Sequence, residues 1–199
     1  MSDKQPGFLK RVWRGLMRPS VKYSVLALLF IGFVCGLVFW GVFSTGLAAT
    51  NEMGFCIGCH EMRDTVYKEY TQTIHYSNRT GVRATCSDCH VPHELGPKLI
   101  RKVQASKEVW GALTGYIDTP DKFEHHRMEL ATNEWARMES RDSRECQNCH
   151  KFDAMSSIKQ SPSNYKRHME AKAEGKTCID CHKGIAHHLP KEYRDPDEE

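Results

Sequence analysis

Hydrophobic and polar positions divide the chain into two unlike parts. From Tyr23 to Phe43, 21 residues pass without a charge and most are large and apolar. As a helix this stretch reaches about 31 Å, enough to cross the hydrocarbon core of a bilayer. Residues 1–22 hold six basic groups, whereas residues 44–55 carry only one charge, Glu52. That bias predicts a cytoplasmic basic tail over 1–22, a transmembrane anchor over 23–43, and the rest of the chain outside the cytoplasm. Trp13 and Trp40 fall where interfacial aromatics sit. A cleavable signal peptide is the competing reading, with Leu47-Ala48-Ala49 as its cleavage site. Its apolar core is normally about 7–15 residues, shorter than this one. Gly32-x-x-x-Gly36 is a spacing that lets two membrane helices pack, so a homodimer is an open alternative.

Beyond the anchor the apolar residues recur with a helical period. Met62, Val66, Tyr70 and Ile74 stand four apart, which predicts one helix with an apolar stripe. Pro97 opens a second, with Leu99, Val103, Trp110 and Leu113 on its buried side. Thr119-Pro120 starts a third that carries Phe123, Leu130, Trp135 and Met138. Ser161-Pro162 starts a fourth that carries His168 and stops at Gly175. No alternating strand pattern of useful length occurs. The expected fold is mainly α: a single N-terminal transmembrane helix, a compact helical and loop-rich domain over 44–190, and a disordered tail over 191–199.

Four cysteine pairs give this domain its chemistry. Cys-x-x-Cys-His occurs at Cys56/Cys59/His60, Cys86/Cys89/His90, Cys146/Cys149/His150 and Cys178/Cys181/His182. This is the attachment signature of c-type haem: each thiol adds to a vinyl group, and the adjacent histidine lies under the iron. Paired C-x-x-C motifs also build zinc sites, but zinc does not require a histidine after every second cysteine. A thioredoxin-like dithiol has no use for four copies. Four covalently bound haem c groups are therefore expected. They consume eight of the nine cysteines and leave Cys35 in the apolar stretch. Haem is attached outside the cytoplasm, which agrees with the orientation above.

About 155 residues follow the anchor, too few for a large side-chain core around four macrocycles, so the haems themselves form the centre. The first motif begins only a dozen residues past the anchor, which places its haem near the membrane surface. The formal net charge of +3 comes from the tail. Without residues 1–22 the balance is about −2, before roughly eight haem propionates are added, so nucleic acid is a poor partner.

The haem domain reads as two dihaem halves of about 51–117 and 118–190. Each has one histidine between its motifs: His75, eleven residues before Cys86, and His168, ten before Cys178. Each has another shortly after its second motif: His93 in the first half, His187 and His188 in the second. The motif histidines fill four of eight axial positions, and His75, His168 and His187 are the candidates for the opposite faces. His188 is the weaker alternative to His187, His93 stands too close to His90 to reach over the same haem, and His125 and His126 read as solvated. Met62, two residues after His60, competes for the first iron as a thioether ligand. It is equally the first member of the apolar stripe, and both readings stand.

Taken together these residues resemble the NapC/NirT family of membrane-anchored tetrahaem cytochromes, quinol dehydrogenases of bacterial respiration. The motifs that carry the resemblance are Phe55-Cys-Ile-Gly-Cys-His-Glu-Met62, Gly81-Val-Arg-Ala-Thr-Cys-Ser-Asp-Cys-His-Val-Pro-His-Glu94, Ala105-Ser-Lys-Glu108 and Thr177-Cys-Ile-Asp-Cys-His-Lys-Gly-Ile-Ala-His187. It spans residues 6–190. Ile117-Asp-Thr-Pro-Asp-Lys-Phe-Glu124 and Asn133-Glu-Trp135 resemble the branch that donates to periplasmic nitrate reductase.

The resemblance implies Met62 as an axial ligand at the first haem in place of His60. It implies Glu108 over the opposite face near the quinol, and Lys102 at or next to a quinol-binding lysine, with Arg101 as its alternative. It pairs His90 with His187, His150 with His168, and His182 with His75. It further implies that menaquinol or ubiquinol is oxidised beside the bilayer of the bacterial inner membrane, and that electrons pass to a periplasmic reductase. The alternatives are a terminal reductase of nitrite or hydroxylamine with an open iron, a donor to another periplasmic reductase, and an assembly subunit with structural haems.

Overall fold

The computed structural model describes residues 7–16 and 22–194, which separate into one unit up to Leu47 and another from Ala48 onward. The expected disorder of residues 191–199 falls partly outside the described residues. The described residues are helical, joined by turns and loops, and contain no strand.

In the first unit, Phe8–Leu16 form a helix, α1, where the sequence reading had only a basic tail. Its basic Lys10, Arg11 and Arg14 alternate with exposed Phe8, Leu9, Val12 and Trp13. Helix α2, Val25–Ala49, is one helix long and apolar enough to cross a membrane, and none of its residues is buried. It begins two residues later than the expected anchor and runs six residues beyond it. Ser44 Oγ donates to the Trp40 carbonyl at 2.7 Å, so its hydroxyl is satisfied inside the helix and does not end it.

The second unit is a string of short helices: α3 Met53–Cys56, α4 His60–Asp64, α5 Val66–Tyr70, α6 Cys86–His90, α7 Leu95–Gln104, α8 Ser106–Leu113, α9 Pro120–Glu139, α10 Arg144–Gln147, α11 Pro162–Glu174 and α12 Cys178–Cys181. Helix α9 starts as its sequence predicts. Pro120 takes the first helical position and the Thr119 hydroxyl accepts from the Lys122 amide at 3.3 Å. Helix α11 likewise starts at Ser161-Pro162 and ends on Gly175, whose φ of +71° suits the left-handed cap.

Two expectations are corrected. The stripe from Met62 to Ile74 is not one helix. The chain breaks at Thr65, whose hydroxyl bonds back to the Glu61 carbonyl, and Ile74 lies exposed in a later turn. The second helix starts at Leu95 rather than Pro97, and its apolar residues face outward: Val103, Trp110 and Leu113 are 73%, 68% and 77% exposed. A helical period identifies an apolar face but not what covers it.

The buried hydrophobic residues of the described chain are few: Tyr70, Ile117, Phe123, Met138 and Ile179. Charge takes over part of the joining. Arg127 on α9, with 8% of its side chain exposed, donates to Glu69 at 2.5 and 3.1 Å, to Glu124 at 2.6 and 2.9 Å, and to the His188 carbonyl at 3.1 Å. The His188 amide donates to Glu69 at 2.9 Å. One guanidinium thus fastens α9, α5 and the segment that holds His187.

Burial alone raises the Glu69 pKa, but the Arg127 guanidinium and the His188 amide outweigh it and hold the carboxyl below its ordinary range. Its contribution is therefore complete above the unfolded value of about 4.5 and is lost as pH falls through the lowered folded value. Arg127→Met is expected to cost about 3–5 kcal/mol in chemical denaturation of the mature protein at neutral pH. The loss should shrink as the pH is lowered, because Glu69 then becomes neutral in both proteins.

Candidate functional site

The four motifs adopt two local shapes that alternate along the chain. At the second and fourth, a short helix starts at the first cysteine. The Thr85 amide donates to Asp88 Oδ2 at 2.7 Å and the Thr177 amide to Asp180 Oδ2 at 2.6 Å, so each Thr-x-x-Asp run closes a capping box around its motif. At the first and third, the helix instead comes early, as α3 and α10, and the second cysteine lies in the turn after it. Gly58 occupies that turn at the first motif, where a Cβ would lie 3.1 Å from the Phe55 carbonyl oxygen.

Helix α3 packs against α6, and α6 packs against α10. The motifs therefore neighbour one another in chain order. Buried Ser143 reinforces the last step, its hydroxyl accepting from the Ile179 amide at 3.1 Å. No three His, Cys, Asp or Glu side chains converge on one point among the described residues, so the cysteine pairs are not arranged as tetrahedral zinc sites.

Three pairs of imidazoles face each other. The ring centroids of His90 and His187 are 6.1 Å apart, those of His168 and His182 6.0 Å, and those of His75 and His150 6.3 Å. Two imidazoles on opposite sides of one metal, each bonded at about 2 Å, have this spacing. The three distal residues chosen from the sequence are the ones brought to motif histidines. Two of the partnerships, however, are exchanged relative to those implied by the resemblance: His75 meets His150, and His168 meets His182. The chain path explains the exchange. Helix α11 leads through Gly175 directly into α12, keeping His168 beside the fourth motif. His75 sits in a loop held shut by the Ala84 amide on its own carbonyl at 3.0 Å and by two bonds from Asn78.

The rings are also oriented. A carboxylate or amide oxygen can only accept, so His90 Nδ1 donates to Glu134 Oε1 at 2.7 Å and His168 Nδ1 donates to Gln160 Oε1 at 2.6 Å. Both rings keep Nε2 bare, the lone pair that a metal takes. Burial pushes His187 down to about 4 and pushes His182 down as well. Both shifts favour the neutral, ligating form. Glu134 is pulled down to about 2, since Arg137 and His90 outweigh its burial.

His60 differs from the other motif histidines. It is exposed, no second imidazole faces it among the described residues, and its Nε2 lies 3.5 Å from Glu61 Oε1. Met62, half-buried, follows on α4. The unassigned histidines have other company. His93 stands 3.9 Å from Asp88, His188 stands 3.6 Å from Glu69, and exposed His125 packs edge-on to His126. His126 is not merely solvated: its ring lies 3.9 Å from that of Tyr116, whose hydroxyl meets His126 Nδ1 at 2.8 Å.

Lys102 Nζ donates to the Thr50 hydroxyl at 2.7 Å and to the Thr50 carbonyl at 3.1 Å. Burial, together with Lys98 and Arg101, lowers its pKa, against the pull of Cys56 in the other direction. Glu108 is exposed and pairs with Arg101 Nη2 at 2.7 Å, so the structure gives it Arg101 rather than Lys102 as its partner. Sequence reasoning missed Thr50, Glu134, Arg137 and Gln160. Only the Thr-x-x-Asp boxes left a local signal in the sequence.

Paired cysteines, each followed by a histidine that in three cases faces a second imidazole, define the class: a c-type cytochrome with covalently held haem. The model of the NapC/NirT cytochrome c family, N-terminal region, matches residues 18–192, and the chain belongs to this family. It is 56% identical over 189 residues to the cytochrome c-type protein NapC of Escherichia coli (strain K12), covering 95% of this chain and 94% of that protein. It is 57% identical over 184 residues to the denitrification system component NirT of Stutzerimonas stutzeri, covering 92% of each. To the cytochrome c-type protein NapC of Paracoccus pantotrophus the identity is 55% over 179 residues, covering 89% of this chain and 76% of that protein. No solved structure matches the chain.

The exchanged partnerships have a spectroscopic consequence. Electron paramagnetic resonance of the oxidised protein should lose the same low-spin component in His75→Ala as in His150→Ala, and the double variant should lose no more. His168→Ala should remove a different component.

Proposed function

We propose that this chain is a membrane-anchored tetrahaem cytochrome c of the bacterial inner membrane. It oxidises menaquinol or ubiquinol and passes electrons to a periplasmic reductase, nitrate reductase before any other. The observation that carries the reading is the set of three imidazole pairs spaced 6.0–6.3 Å apart beside four Cys-x-x-Cys-His motifs. Haem c at these motifs supplies one-electron transfer from a quinol at one end to a reductase at the other.

The residues divide the remaining work. Cys56, Cys59, Cys86, Cys89, Cys146, Cys149, Cys178 and Cys181 tether the groups in a chain-ordered row. His90 with His187, His75 with His150, and His168 with His182 would hold three of the haem irons as paired imidazole ligands, which would leave those irons no site for a substrate. This favours electron transfer over reduction of nitrite or hydroxylamine. At the first motif Met62 would supply the iron ligand in place of His60, which no second imidazole faces among the described residues. A thioether there raises the potential relative to bis-imidazole neighbours, so the site nearest the donor accepts electrons readily.

Lys102 is tied to Thr50, the residue that follows the last residue of α2 in the chain. In this reading the cation lies a few residues along the chain from the anchor, and a lipid-soluble quinol meets it there. Lys102 hydrogen-bonds a quinol oxygen and favours its ionisation, while Glu108, oriented by Arg101, accepts the proton. Both protons leave on the periplasmic side. The basic N-terminal flank supports this orientation.

Two measurements test the reading. The intact mature chain should weigh the polypeptide plus four haems and retain its hydrophobic N-terminus. In detergent, Lys102→Met and Glu108→Gln should each slow quinol-dependent reduction by about 10²-fold with all four haems attached. Unchanged rates would remove both residues from the site, and no reduction by either quinol in the unmodified protein would favour a structural role for the haems.

A further inference from the structure

Two of the imidazole pairs form a matched comparison. His90/His187 and His168/His182 have centroid separations of 6.1 and 6.0 Å and the same interplanar tilt of 36°. What differs is the atom that receives the outer N–H. For His90 it is a carboxylate oxygen of Glu134, on α9, 44 residues away in the chain; for His168 it is the neutral amide oxygen of Gln160. A negative acceptor draws the Nδ1 proton outward and makes Nε2 a stronger donor to iron, which stabilises the ferric state.

The surroundings leave this local effect standing. Arg137 bonds Glu134 through Nε at 2.9 Å and through Nη2, and lies 3.9 Å from Glu145. Arg141 joins Glu145 at 2.9 Å and Glu94 at 3.3 Å, and Arg144 joins Glu94 at 3.2 Å. Three carboxylates and three guanidinium groups balance across the network, and Arg137 Nη2 shares Glu134 Oε1 with His90, so the His90 ring meets an ion-paired carboxylate where the His168 ring meets a neutral amide.

We propose that Glu134 is a positioning residue for the redox reaction: through Nδ1 of His90 it holds the reduction potential of the His90/His187 haem below that of the His168/His182 haem. This rests on reading both pairs as iron ligands. Iron in the first pair then stays oxidised until iron in the second has been reduced, which fixes part of the filling order.

The test is a spectroelectrochemical titration of the full-length, fully haem-loaded protein in detergent. His187→Met and His168→Met first mark which wave belongs to which pair. In Glu134→Gln the His90/His187 wave should shift to more positive potential while the others hold, and Glu134→Asp should return it toward the unmodified value. A marked wave that stays put in Glu134→Gln overturns the proposal. If His187→Met moves no wave, the ligand reading fails and the proposal fails with it. Where Glu134→Gln does not mature, the unmodified protein still decides, because a His90/His187 wave at or above the His168/His182 wave contradicts the assignment.

Discussion

Imidazole facing imidazole across 6.0–6.3 Å is the constraint on which the unit from Ala48 onward depends. Each pair joins a histidine fixed beside two cysteines to one delivered by another part of the chain, and each delivery needs its own support. His187 is held by the Arg127 bonds around Glu69 and the His188 backbone, His168 by a helix capped at Ser161 and stopped at Gly175, and His75 by a loop closed on Ala84. The buried hydrophobic residues are too few to define these positions by packing. Charge, caps and the short reach between motifs do so instead.

How much of this was legible in the sequence depended on range. The motifs, the membrane-length helix and the starts of α9 and α11 are local signals, and a helix cap declares itself within four residues. The candidates His75, His168 and His187 stood out in the sequence because the two halves repeat, and each lies 6.0–6.3 Å from a motif histidine. Their partners were not legible, since partnership depends on how α11 feeds α12 and how the His75 loop folds back. The apolar face of α7 and α8 was misread for a related reason. Val103, Trp110 and Leu113 keep a helical period whether they meet a core, a cofactor or lipid. Glu134 and Gln160 left no trace, because the oxygen that accepts a histidine's outer N–H is chosen by tertiary proximity alone.

Quinol oxidation by such a chain separates two tasks. In the proposed reading, proton handling falls to Lys102, tied to Thr50, and to Glu108, paired with Arg101. Electron transfer needs closed coordination and close, ordered spacing. Successive motifs are neighbours in the structure: α3 packs against α6, α6 packs against α10, and Ser143 beside α10 accepts from the Ile179 amide of α12. The alternation of capped and uncapped motifs builds this row twice from one local plan.

The account stands or falls on ligation. Near-infrared magnetic circular dichroism of the oxidised, detergent-solubilised protein reads the axial ligands of every iron at once. Three bis-imidazole centres and one centre of different ligation are predicted. Fewer than three bis-imidazole centres, or four identical ones, would contradict it.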